Sequence, residues 1–188
     1  MVSLADIQAA YYMVAATGVL VAAIYYVLNI RQTIENRKAQ LFTQMTSMNL
    51  QKDWLSNSLE LLSIQWSDFD DFARKYDSGV NPDHYVRRTQ VFNYLEQVGY
   101  YVRNGQLDVE QISTINGGGF WVVWLWVKYS DIIKRYRELL SIPEYYVNFE
   151  YLADRVTMHQ REKGHEVIFD PGGGVYNPDN KQGSQISP

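Results

Sequence analysis

The sequence predicts an all-α protein: one N-terminal transmembrane helix continues into a stalk, followed by a cytoplasmic helical bundle and a disordered tail. Residues 7–30 are apolar and uncharged, and neither proline nor glycine occurs between Ile30 and Asp77. Further along, apolar residues recur at helical spacing and no convincing strand pair appears. We therefore divide the chain into a transmembrane helix at 7–30, a stalk and bundle domain at 31–164, and a disordered tail at 165–188.

The apolar segment at 7–30 is long enough to cross a membrane, because about 20 helical residues span a hydrocarbon core of about 30 Å. Tyrosine pairs at 11–12 and 25–26 lie about 21 Å apart along a helix, which suits an aromatic belt at each interface. A cleaved signal peptide or a buried core helix is the alternative. A signal peptide begins with basic residues, whereas the only charge before this segment is Asp6. We prefer the membrane span.

The basic residues near the segment predict its orientation. None precedes it, whereas Arg31, Arg37 and Lys38 follow closely, so the positive-inside rule places the N-terminus outside and the C-terminal domain in the cytoplasm. We expect a single-pass protein of the cell membrane. Within the span, Gly18 and Ala22 are a candidate helix–helix contact at four-residue spacing, although small residues are common in membrane helices and we prefer that explanation.

A partial heptad repeat follows the span, in a helix that we expect to continue to about Ser63. Its candidate contact residues recur every seven positions: Ile34, Leu41, Met48, Leu55 and Leu62. They favour either a parallel coiled coil that dimerises the protein, or one helix that lays an apolar stripe on its own domain. A coiled coil needs a second apolar row, four residues after each of these positions. Lys38 and Lys52 lie in that second row and interrupt it, so we prefer the second interpretation.

Capping residues predict the helices of the bundle. Ser67 or Asp68 caps a short helix, Asn81-Pro82 begins a long one that Asn104-Gly105 ends, and Asp108 begins another short one. A tryptophan-rich helix then runs from Phe120 to about Ser141, and Pro143 begins the last helix, which ends before Gly164. The tryptophan-rich helix is too short to be a second span. We prefer it as a core helix, with a position at the membrane interface left open.

No motif in the chain predicts catalysis, a cofactor or a metal. The glycines at 117–119 lack the Gly-Lys-Ser/Thr that a phosphate-binding loop needs, and no histidine pair has metal-ligand spacing. The chain has no cysteine, which excludes disulfides and thiol chemistry, and its net charge of −4 gives no basic excess for nucleic acid. We expect no enzyme, no nucleic-acid binding and no small-molecule ligand.

Two ionisable residues have individual predictions. His84 follows the helix start at Pro82 and is expected to be exposed. Glu96 lies among apolar residues, and because a buried charge needs a partner, we expect it to pair with an arginine of the same region: Arg87, Arg88 or Arg103.

The order of these parts resembles a family of uncharacterised prokaryotic proteins with one N-terminal span and a helical cytoplasmic domain of unknown function. The features in common are the basic turn after the span, the segment NYLEQVGYYVRNGQLD at 93–108, the helix with Trp121 and Trp124, and FEYL at 149–152. Together they cover roughly residues 10 to 155. The resemblance implies no activity and no functional residues.

These observations lead to three hypotheses. The first is a membrane-anchored interaction or scaffold protein without catalytic activity, whose partners are the lipid bilayer and a protein partner or a second copy of the chain. The second is an accessory subunit of a multi-subunit membrane enzyme or transporter. The third is an enzyme with an unrecognised site, which should show a polar pocket where titratable side chains converge.

Overall fold

The structure is a computed structural model, and it describes residues 3–114 and 119–165. This part of the chain is all-helical, as the sequence predicts. Its seven helices are α1 (Leu4–Asn49), α2 (Lys52–Ser63), α3 (Phe69–Tyr76), α4 (Pro82–Arg103), α5 (Val109–Thr114), α6 (Phe120–Leu140) and α7 (Val147–Glu162). The predicted tail lies outside the described residues, apart from His165.

The chain divides into two compact units, Met1–Leu41 and Phe42–Pro188. In the first unit, the residues of helix α1 are almost all exposed. The second unit holds the core. Its centre is helix α7, which packs against α4, α5 and α6, while the shorter helices α2 and α3 pack against α4 and α6. Phe149, Leu152, Ala153 and Val156 of α7 are fully buried there.

Helix α7 lies unusually close to α4 at Gly99. A Cβ atom on Gly99 would overlap the backbone carbonyl of Asn148, so only glycine allows the two helices to approach this far. The carboxylate of Glu96, one turn earlier on α4, accepts hydrogen bonds from the Asn148 side chain (2.8 Å) and from the Phe149 backbone N–H (2.7 Å). The predicted arginine partner for Glu96 is therefore wrong. A free N–H at the start of a helix satisfies the carboxylate instead.

Several predicted helix ends are confirmed by their caps. Asp68 accepts a hydrogen bond of 2.8 Å from the Asp71 N–H at the start of α3, and Asn81 accepts one of 3.1 Å from the His84 N–H at the start of α4. The tryptophan-rich helix α6 also has the predicted extent. It buries one side in the core, including Trp126.

Two predicted boundaries are wrong. The helix expected to reach Ser63 stops at Asn49, and the chain turns at Gln51 before α2 begins. Tertiary contacts favour this break, because Met45 on one side and Leu61 on the other are both buried, and the Tyr94 hydroxyl donates to the Met45 carbonyl (3.1 Å). The last helix begins at Val147 and not at Pro143, after a turn that ends with Tyr146 at φ 55°.

Candidate functional site

The N-terminal unit presents an apolar helical surface. An 18-residue window of helix α1 has a mean hydropathy of 2.0, and none of its residues is buried. Side chains along this stretch, such as Tyr11, Val19, Leu20 and Tyr25, are each more than half exposed. Among the described residues, one helix is thus long and apolar enough to cross a membrane. A signal sequence near the N-terminus shares these properties of length and composition.

The predicted contact pair Gly18 and Ala22 lies on this helix, and both residues are exposed. A Cβ atom built on Gly18 would meet no atom within 4 Å. This small-residue face is therefore open to a second helix, and nothing in the described structure occupies it.

The predicted heptad row is divided by the break at Gln51. Ile34, Leu41 and Met48 lie on α1, whereas Leu55 and Leu62 lie on α2. Of the five, Ile34, Met48 and Leu55 are exposed and only Leu41 and Leu62 are half-buried. The five residues therefore do not form one continuous helical row. The apolar residues that α1 and α2 bury in the domain core are different ones, Met45 and Leu61.

A buried arginine on α4 is the most unusual polar group of the helical domain. Arg88 is only 5% exposed, and its guanidinium lies over the rings of Phe72, Tyr85 and Tyr136, at 4.7, 5.3 and 5.9 Å from their centroids. Its Nη1 atom is buried without a hydrogen-bond partner. No carboxylate of the described residues forms an ion pair with Arg88, whereas the neighbouring Arg87 pairs with Glu60.

His84 lies one helical turn before Arg88 and is also buried. It is 1% exposed, so its predicted exposure is wrong, because the first turn of α4 packs against α3 rather than facing solvent. Its ring lies 4.6 Å from the ring of Tyr76 and 6.4 Å from that of Phe72. Neither ring nitrogen has a hydrogen-bond partner. Burial lowers the pKa of His84, and the positive charge of Arg88 lowers it further.

Tyr136 of helix α6 is the third member of this group. Its hydroxyl is buried without a hydrogen-bond partner. Burial raises the pKa of Tyr136, while the positive charge of Arg88 opposes that shift and the negative charge of Asp77 adds to it. We define the Arg88 cluster as the three polar residues and the rings around them: Phe72, Tyr76, His84, Tyr85, Arg88 and Tyr136. Tyr76, Tyr85 and Tyr136 are half-buried, so the cluster reaches the domain surface at these three rings.

The Arg88 cluster is not among the features predicted from the sequence, although α4 carries a signal for it. The buried positions of α4 include 84, 88, 91, 95, 98 and 102, which alternate at spacings of four and three. His84 and Arg88 continue the same helical face as the apolar residues Val91 and Leu95. A polar residue in such a row is predicted to be buried. Phe72 and Tyr136, which surround Arg88, come from other helices, and no local pattern connects them to α4.

A second, smaller feature is a cavity of about 30 Å³ bordered by Asn49, Trp54, Tyr94 and Trp121 among other residues. Its border carries two buried atoms without hydrogen-bond partners, the Asn49 Oδ1 acceptor and the Trp54 Nε1 donor. A water molecule needs roughly 10–15 Å³ of such space and two or more polar partners. The cavity therefore suits one or two water molecules that bridge these atoms.

The described residues contain no group of three or more histidine or acidic side chains placed to hold a metal ion. For the chain as a whole, the absence of a metal and of a cofactor remains a prediction.

Comparisons with known proteins bear on the family alone. No curated protein and no solved structure matches the chain. A family model described as a domain of unknown function, DUF4760, matches residues 12–156. The match begins within the apolar part of α1 and ends within α7, so it includes the Arg88 cluster. Because the matched region is more than half of the sequence, the chain belongs to the DUF4760 family.

Proposed function

We propose that the apolar part of helix α1 anchors this protein in a membrane, and that its helical domain binds a protein partner there without catalysing a reaction. The observation that supports the anchor is an apolar helix segment that no other described residue buries. A large apolar side chain gains about 1.5–3 kcal/mol on full burial. For the whole segment, transfer from water into lipid is favourable by about 10 kcal/mol or more.

The charges beside the anchor support one orientation. Arg31, Arg37 and Lys38 follow the segment and no basic residue precedes it, so we place the N-terminus outside and the helical domain in the cytoplasm. The resemblance to prokaryotic single-span proteins supports the same arrangement.

Exposed apolar residues on the helical domain support a protein partner. Met48, Leu50, Leu55 and Leu59 are 37%, 75%, 44% and 51% exposed, and they lie close in sequence at the end of α1 and along α2. Single exposed apolar residues are ordinary, whereas a group of them is typical of an interaction surface. Leu55 and Leu59 are one helical turn apart and thus share a face of α2.

The second candidate function is an accessory subunit of a larger membrane complex, in which the partner contacts the span itself. The open face of Gly18 and Ala22 supports it, since small residues let membrane helices approach closely. Such a subunit would co-purify with other integral membrane proteins through its span rather than through α2.

The orientation can be tested directly because the chain has no cysteine. One introduced cysteine is then the only thiol. Ala5→Cys, before the anchor, and Ser78→Cys, in the exposed loop before α4, are labelled in intact cells with a membrane-impermeant maleimide. The proposal predicts labelling of A5C in intact cells and of S78C only after the membrane is opened. The opposite pattern would reverse the orientation, and the cysteine-free parent chain controls for background.

The partner can be tested by mild detergent extraction, affinity purification and mass spectrometry. A protein bound through the domain should be recovered in fixed stoichiometry and lost in the variant Leu55→Glu/Leu59→Glu. The control Asp131→Lys changes an exposed residue of α6, and this variant should retain the bound protein. If the partner is lost from the Gly18→Leu variant and retained by L55E/L59E, the result would favour the accessory subunit. A chain that purifies alone would contradict both.

A further inference from the structure

The polar atoms of the Arg88 cluster are placed as donors for an anion. Arg88 carries a full positive charge, and only 5% of the residue is exposed. The Arg88 Nη1, the Tyr136 hydroxyl and the two ring nitrogens of His84 are buried without a well-aligned hydrogen bond. Asp77 and Arg88 lie near the Tyr136 hydroxyl, and the Tyr76 backbone lies near the His84 ring. A buried donor without a partner is costly, and a buried charge without a counter-charge more so. Three such side chains in one cluster are not explained by packing alone.

The rings around Arg88 satisfy only part of its bonding capacity. A cation–π contact draws on the charge of the guanidinium, which lies near the rings of Phe72, Tyr85 and Tyr136, and does not use up its N–H donors. The N–H donors of a guanidinium point outward in the plane of the group, and those on Nη1 are available to an acceptor. An arginine held between aromatic rings is thus pre-organised for a planar acceptor that approaches its edge.

We infer that the Arg88 cluster binds a small molecule through a carboxylate, with the Arg88 guanidinium as its counter-charge and the Tyr136 hydroxyl and a His84 ring N–H as further donors. A carboxylate is planar and carries one negative charge, which matches one guanidinium. A phosphate group carries nearly two charges at neutral pH, and the cluster offers no second cation. The aromatic rings around the site favour an apolar body behind the carboxylate.

This inference goes beyond the proposed function, which makes no use of the Arg88 cluster, and it departs from the prediction of no small-molecule ligand. One acidic side chain of the protein competes with it. Asp77 lies close enough to the Tyr136 hydroxyl to interact with it through a hydrogen bond and to raise its pKa, although no ion pair of the described residues joins Asp77 to Arg88. The experiment must therefore separate an added carboxylate from the carboxylate of Asp77.

The experiment measures the thermal unfolding midpoint of the full chain in detergent during titration with sodium propionate. The controls are propionamide, which is the uncharged analogue of the same shape, and sodium chloride and sodium phosphate at the same ionic strength. We expect a saturable rise with propionate and no saturable rise with the other three, because a ligand that binds only the folded chain raises its midpoint.

Three variants test the residues. Arg88→Gln should abolish the rise, and Tyr136→Phe, which removes one buried hydroxyl and no ring, should weaken the apparent affinity about tenfold. The matched control is Arg87→Gln, an arginine on the next position of α4 that pairs with Glu60, and it should keep the parent affinity. If R88Q fails to fold by circular dichroism, Y136F decides the outcome.

Two results would overturn the inference. The first is a failure of the propionate titration. The midpoint shows no saturable rise, or phosphate or chloride produces the same rise, or the rise is unchanged in Y136F. The second concerns Asp77→Asn, which should strengthen propionate binding by removing a competing negative charge. If D77N instead lowers the midpoint and the parent chain does not respond to propionate, then Asp77 itself neutralises Arg88.

Discussion

The carboxylate of Glu96 on helix α4 caps helix α7 by accepting a hydrogen bond of 2.7 Å from the backbone N–H of Phe149. The first N–H groups of a helix have no partner within the helix, so a side chain from another helix satisfies one of them here. The contact ties the two helices together beside Gly99, where a Cβ atom would overlap the Asn148 carbonyl.

Removing this cap should destabilise the domain. Glu96→Ala leaves the Phe149 N–H without its acceptor, and we expect the free energy of unfolding to fall by about 1–3 kcal/mol. Glu96→Gln keeps an acceptor oxygen and should cost less than E96A. Urea unfolding of the detergent-solubilised variants measures both. Equal stability of E96A and the parent chain would show that the cap contributes nothing.

Gly99→Ala should also destabilise the domain, through overpacking. The added methyl group would overlap the Asn148 carbonyl, which belongs to backbone and cannot move aside without separating α4 from α7. Overpacking of this kind typically costs about 1–3 kcal/mol and occasionally more. Gly79→Ala is the matched control, because a Cβ there meets no atom within 4 Å. Similar unfolding midpoints for G99A and G79A would contradict the packing described here.

The Tyr129 hydroxyl should contribute to stability through one buried hydrogen bond. It donates to the Leu61 carbonyl at the end of α2 (2.9 Å), and the side chain is fully buried. Tyr129→Phe removes the donor and leaves that carbonyl unpaired, at an expected cost of about 1–3 kcal/mol. Tyr100→Phe, on an exposed side chain, should be neutral. Calorimetric unfolding measures the stability of the two variants. If Y129F is as stable as the parent chain, the hydrogen bond makes no net contribution to stability.

His84 should make the stability depend on pH. Its folded-state pKa is lowered by burial, so the folded chain binds fewer protons at this site than the unfolded chain. The stability contributed by neutral His84 is then complete above the unfolded pKa of about 6.5 and is lost as the pH falls below it. His84→Phe should flatten the decline in stability between about pH 6.5 and pH 5, whereas the control His165→Gln should retain it. An H84F variant with the parent slope would contradict this assignment.

The parts of the fold that the sequence predicts are those with a local chemical cause. Asn81 and Pro82 start α4 and Gly164, at φ 77°, follows the end of α7, because capping side chains and left-handed glycines act within a few residues. The break at Gln51 and the start of α7 at Val147 have tertiary causes. Met45 and Leu61 are buried on either side of the break, and Glu96 accepts from the first turn of α7. Helical propensity alone does not reveal these tertiary contacts.

The candidate sites also differ in how far the sequence alone predicts them. The apolar surface of helix α1 follows from composition and needs no structure. His84 and Arg88 lie at helical spacing on the apolar face of α4, so their burial could have been predicted from the sequence. Their aromatic surroundings could not, since Phe72 and Tyr136 come from α3 and α6, which no spacing rule connects to α4.

The central claim is that the apolar part of helix α1 is retained as a membrane anchor. The most direct test is intact-mass spectrometry of the full chain expressed in cells, after the membrane fraction has been washed with alkaline carbonate to remove peripheral proteins. Our account predicts that the chain stays in the washed membrane with the mass of the uncleaved sequence. A mature chain that lacks residues 7–30, or a full-length chain released by the carbonate wash, would contradict it.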